Sequence, residues 1–109
     1  MIGGSERDVQ VWVATRPVDM RKSFDSLSEV VRSFLGHDPL SGNLFVFRNR
    51  TSQRVKILWW DREGLAIFYK RLERNEFHFP MGDEKSIAIE RSQLIRLLSG
   101  LELAAKQIA

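Results

Sequence analysis

The sequence predicts an α+β domain, a mostly antiparallel sheet of about four to five strands packed with two helices. Three observations carry this prediction. A β-branched stretch of period two lies near the N-terminus, apolar residues recur at three-and-four spacing over residues 20–35 and again near residue 94, and a β-rich centre is broken by two loops of hairpin length. At 109 residues the chain has the size of one domain, 1–109, with residues 1–8 and 102–109 expected as loose ends.

Val9, Val11 and Val13 alternate with Gln10, Trp12 and Ala14, which predicts a strand closed by Pro17. Asp19 is expected to N-cap a helix from about Met20 to Leu35, whose apolar positions are Met20, Phe24, Leu27, Val31, Phe34 and Leu35. Gly36 supplies the stop, and Asp38-Pro39-Leu40-Ser41-Gly42 a loop. Strands follow over Asn43 to Arg48, Arg54 to Trp60 and Leu65 to Leu72, with a further short run over Glu76 to Phe79 ending at Pro80. The stretch from Ser86 to Ile89 is too short to assign from pattern. Leu94, Leu97, Leu98 and Leu101 mark a second helix, interrupted by Gly100.

Composition excludes several function classes. With no cysteine, disulfides, thiolate zinc sites and cysteine nucleophiles are ruled out. No apolar run approaches the roughly 20 residues needed to span a bilayer, and the N-terminus lacks a signal-peptide pattern, so a cytoplasmic protein without a membrane partner is expected. No Walker loop, dinucleotide glycine pattern or nucleophile elbow is present. His37 and His78 are isolated, and Asp61 and Glu63 flank Arg62 in a tight turn, where a structural role is commoner than a catalytic one. The reading is therefore a non-enzyme without catalytic or metal residues and without cofactors. A metal-dependent nuclease using Asp61 and Glu63 remains a rival.

The charge is unevenly placed. Residues 16–74 hold twelve Lys/Arg against seven Asp/Glu, or +5, and the rest hold five against seven, or −2, which recovers the net +3. If Arg48 pairs with Arg54 across the first hairpin, Val46 faces Lys56 and Leu44 faces Leu58, a register that matches Phe47 with Val55 and Phe45 with Ile57. The hairpins then gather Arg48, Arg50, Arg54, Lys56, Lys70, Arg71 and Arg74 at one sheet end, with Glu73 as the single acid. Like charges facing each other across strands repel, so such a cluster points to an anion, with phosphate the first candidate. Cations on strand ends also guard against edge aggregation, and the pattern by itself admits both readings.

Trp59 and Trp60, being adjacent, point to opposite faces, and Leu65, Ile67, Phe68 and Tyr69 follow, so both faces of the sheet read as apolar. One face suits the first helix, the other the second helix, a partner or self-association. Core packing is the usual role of such aromatics; base stacking by Trp60 or Tyr69 has no sequence support of its own.

Several ordered motifs then identify a relationship. Arg16-Pro17-Val18-Asp19-Met20-Arg21-Lys22-Ser23-Phe24-Asp25, Asp38-Pro39-Leu40-Ser41-Gly42, Leu44-Phe45-Val46-Phe47-Arg48-Asn49-Arg50, Val55-Lys56-Ile57-Leu58-Trp59-Trp60-Asp61-Arg62-Glu63-Gly64 and Tyr69-Lys70-Arg71-Leu72-Glu73 together closely resemble the TnpB-like accessory protein of the insertion-sequence-66 family of bacterial mobile elements. The resemblance spans about Val9 to Leu101. It implies an accessory role in DNA transposition, beside a separate DDE transposase and without a known activity of its own, and it supplies no catalytic or binding residues to carry over. It is distinct from the RNA-guided nucleases that share the name. Ser26 stands where the family pattern has glycine, a change a helix tolerates.

The function expected is thus a transposition accessory that binds DNA phosphates through the seven basic residues. The rival docks the transposase through Trp60, Leu65 and Tyr69. DNA, the transposase and a second copy of the chain are the expected partners.

Overall fold

The computed structural model describes residues 9–100, and the expectations for residues 1–8 and 101–109 lie outside them. The elements are β1 (Val11–Ala14), α1 (Phe24–Glu29), a π-helical segment (Val30–Leu35), β2 (Leu44–Arg48), β3 (Arg54–Trp60), β4 (Leu65–Arg71), β5 (Ser86–Ile89) and α2 (Arg91–Leu98). The five strands form one sheet in the order β4-β3-β2-β1-β5. β1 and β2 run parallel, joined by the α1 crossover, and every other neighbouring pair is antiparallel. The α+β class read from the sequence is the observed one.

Each sheet face carries a helix. On one side Val11, Val13, Leu44, Val46, Val55 and Ile57 pack with Leu94 and Leu97 of α2 and with Phe77. On the other, Ala14, Phe45, Phe47 and Leu58 pack with Leu27, Val31 and Leu35. Full burial of such a side chain contributes roughly 1.5–3 kcal/mol, so both helices are held chiefly by their apolar faces.

The first helix starts later than expected. Ser23, not Asp19, is its N-cap, and Ser26 Oγ accepts the Ser23 N–H at 2.9 Å. Ser26 therefore completes a helix cap. Asp19 makes an Asx turn instead, its Oδ1 accepting the Arg21 N–H at 2.8 Å. The last turns widen into a π-helix, with the Gly36 N–H donating to the Val31 carbonyl, and Gly36 ends the segment at φ 74°.

The first hairpin departs by one residue from the expected register. Arg48 pairs with Val55, Phe47 with Lys56, Val46 with Ile57 and Phe45 with Leu58. Asn49 is the cause: its Oδ1 accepts the N–H groups of both Gln53 and Arg54 at 3.0 Å, and its own N–H donates to the Arg54 carbonyl at 3.3 Å. Asn49 thereby closes the hairpin opposite Arg54, and the slip turns every β3 side chain to the other face from the one expected relative to β2.

Two further strand expectations change. Residues 76–79 do not join the sheet; the Phe77 N–H donates to the Ser52 carbonyl at 2.7 Å, and the ring is buried in the α2-side core. The short stretch Ser86–Ile89 is instead a true strand, antiparallel to β1.

Candidate nucleic-acid interface

The seven basic residues divide between interior and surface. Arg48 lies on the α2-side face, where Nη2 donates to the Thr15 carbonyl at 2.9 Å, Nη1 to Ser52 Oγ at 3.4 Å, and the guanidinium stands 5.9 Å from the Phe79 ring centre. Lys70 Nζ donates to the Leu98 carbonyl at 2.8 Å, neutralising the negative C-terminal end of α2. Both serve the fold first.

Lys56 is the most deeply placed, with 7% of its surface exposed. Its Nζ donates to the carbonyls of Met20 at 2.8 Å and Lys22 at 2.7 Å. It also stands 4.6 Å from the centre of the Tyr69 ring. No carboxylate among the described residues pairs with it. Carbonyl dipoles and the negative face of an aromatic ring carry the whole burden of holding this charge. The register explains the geometry: Lys56 lies opposite Tyr69, on the same face as Phe47 and beneath the segment leading into α1.

The remaining four cations face solvent or its margin. Arg54 lies directly opposite Arg71 in the β3–β4 ladder. Arg54 Nη1 donates to Tyr69 Oη at 3.2 Å. Arg71 pairs with Glu73 at 2.9 Å, an exposed contact of little energetic worth. Arg50 and Arg74 are exposed and make no hydrogen bond or ion pair with any described residue. Arg50 and Arg54 line a shallow cleft whose other wall is the segment Pro17 to Met20.

The apolar candidates separate in the same way. Leu65, opposite Trp60, packs into the α1-side core, and Trp60 is half-buried. Tyr69, 48% exposed, is the one with a large free surface, and it lies on the edge strand β4. Asp61 is a turn residue: its Oδ1 accepts the N–H groups of Glu63 at 3.0 Å and Gly64 at 3.1 Å. Among the described residues, no three His, Asp or Glu side chains converge into a metal site. No helix among them is long and apolar enough to cross a membrane.

A family model described as IS66 Orf2 like protein matches residues 9–108. The chain belongs to the IS66 Orf2-like family. It is 45% identical over 98 residues to the Sinorhizobium fredii (strain NBRC 101917 / NGR234) protein y4hO, covering 90% of this chain and 85% of that one. It is also 35% identical over 102 residues to y4jC of the same strain, covering 94% and 86%. No solved structure matches the chain. Membership gives it an accessory role in the transposition of insertion sequences.

In this IS66 Orf2-like chain the motifs that are far apart in sequence meet at one place. Lys56 ties the Arg16–Asp25 motif to β3, and Arg50 and Arg54 face that motif across the cleft. Sequence reasoning placed the basic residues at one sheet end but missed this strap, and it missed Asn49 as the register-setting residue. An asparagine between two arginines at a strand end was the available signal for the second. The first had none, because which face Lys56 occupies depends on a register that one residue inverts.

Proposed function

We propose that this chain serves transposition by holding DNA through phosphate contacts from the exposed basic end of its sheet, with Arg50, Arg54, Arg71 and Arg74 as the contacting groups and no chemistry of its own. The observation that carries the reading is the placement of Arg54 directly opposite Arg71 next to the unpartnered Arg50. Facing like charges destabilise a ladder by roughly 0.2–1 kcal/mol, a cost that a bound polyanion reverses. Arg48, Lys56 and Lys70, whose donors go to the protein, contribute field rather than contact.

Transposase docking through Trp60, Leu65 and Tyr69 draws less support, since Leu65 packs, partly buried, against the α1-side core and Trp60 is half-buried. The test is a titration of duplex DNA, from an element end and of random sequence, at several salt concentrations. Three to four phosphate contacts give a log–log salt slope of about −3 to −4. Reversal of both Arg54 and Arg71 to Glu removes about two units of that slope, with little distinction between the two duplexes. A wild-type protein that ignores DNA at low salt but binds the transposase with little salt response overturns the reading in favour of docking.

A further inference from the structure

We propose that Tyr69 is a stacking platform for an unpaired base, and that the DNA this surface takes is single-stranded. The inference deepens the phosphate-binding reading and rests on it. Three features meet at Tyr69. Its ring is 48% exposed, although tyrosine on a strand normally packs. It lies on β4, beyond which no further strand is placed among the described residues.

The third feature is that two cations hold the ring. Lys56 Nζ stands 4.6 Å from its centre, and Arg54 Nη1 donates to its hydroxyl at 3.2 Å. Arg71 follows two residues later on the same face of β4, opposite Arg54. A ring held this way has lost its rotamer freedom before any ligand arrives, so stacking costs little further ordering. An exposed aromatic ring with a guanidinium at its hydroxyl and a second arginine two residues on supplies the two components single-strand binding requires: a π-face for the base and positive charge for the phosphates beside it.

Duplex DNA offers such a ring no free base face, because its bases are stacked on each other; only the tyrosine hydroxyl can reach its phosphates, and Tyr69→Phe keeps the ring without that hydroxyl. The edge of β4, which pairs with no further strand among the described residues, also suits a strand laid along it, whereas a protective role for the same cations explains neither the exposed ring nor its hydroxyl bond to Arg54.

The experiment compares a 15-nucleotide oligothymidine with a duplex of the same length by fluorescence anisotropy, for the wild type, Tyr69→Ala, Tyr69→Phe and Tyr69→Trp. Tyr69→Ala is expected to weaken oligothymidine binding roughly 5- to 100-fold, the worth of one stacked base, and to change duplex binding less than about twofold. Tyr69→Trp and Tyr69→Phe, which keep a ring, should retain most of the single-strand affinity. Photocrosslinking of oligonucleotides carrying 5-iododeoxyuridine, mapped by mass spectrometry, should label Tyr69 in the wild type, independently of any effect of substitution on folding.

Equal losses on both DNAs, no loss on either, or crosslinks confined to other residues overturn the stacking role. If the wild type binds duplex with the salt slope given above but not oligothymidine, this inference fails and the phosphate reading stands. If neither DNA binds, both fail together.

Discussion

The Lys56 ammonium donates at 2.8 Å to the Met20 carbonyl, and with its second bond, to Lys22 at 2.7 Å, straps the segment before α1 onto β3. The segment lies over the face of the sheet, where β3, paired with β2 and β4 on its two sides, offers it no backbone ladder, so a buried cation holds it instead.

Replacing Lys56 with Met keeps the unbranched apolar stem but not the ammonium, and leaves two carbonyls without their donor. Unpaired buried polar groups cost about 1–3 kcal/mol each. A loss of about 2 to 4 kcal/mol in chemical denaturation is expected, together with faster hydrogen exchange at the first turn of α1. An unchanged denaturation midpoint shows that the strap is dispensable.

Asn49→Ala removes the acceptor for the N–H groups of Gln53 and Arg54 and should cost about 1 to 2 kcal/mol. Because this side chain sets the register, heterogeneity should appear in the amide resonances of β2 and β3 and not in those of α2. A single sharp set of resonances would mean that the core alone fixes the pairing.

Lys70→Met should loosen the end of α2 by about 0.5 to 1 kcal/mol, through loss of the cation at the Leu98 carbonyl. Exchange protection at residues 96–98 reads the effect. The salt slope for DNA should stay within half a unit of wild type, which separates Lys70 from the contacting arginines; a fall of a full unit would return Lys70 to the contact set.

Asp19 titrates low. The Arg21 guanidinium hydrogen-bonded to its carboxylate, helped by the Arg21 N–H, depresses the pKa from 3.8 to about 2. A depressed carboxylate favours the folded state above about pH 4, and its contribution fades as pH falls from 3.8 through 2. The pair is exposed, so salt weakens it. Carbon-detected NMR should place the Asp19 midpoint near 2 and show it rising toward 3.8 in Arg21→Ala; a wild-type midpoint near 3.8 would refute the pairing.

Much of this architecture is legible in the sequence because local pattern and tertiary burial agree. Val11 and Val13 alternate into the core as their period requires, Leu27, Val31 and Leu35 face the sheet, and Asp61 to Gly64 makes the turn its residues suggest. The misreadings fall where local signals compete. Asp19 and Ser23 are both good caps, and a lysine beneath the first removes the choice. The expected register matches more apolar pairs than the observed one, which sets Phe47 against Lys56 and Arg48 against Val55, and a side-chain amide decides between them. Phe77 reads as strand by composition, but it is buried as a plug from a loop. The seven basic residues were visible as a group, whereas their division into donors to carbonyls and surface groups required the faces to be known.

The position of β5 has a kinetic corollary. Val11 pairs with Ile89, so the outer flank of the first strand is covered by the last, across nearly the whole described chain. Closing so long an interval is entropically expensive, so this pairing is expected late in folding. A ribosome that has released the chain only through Arg71 presents β1 with one side bare. Synthesis of residues 86–89 is then the step that converts an aggregation-prone intermediate into a finished sheet.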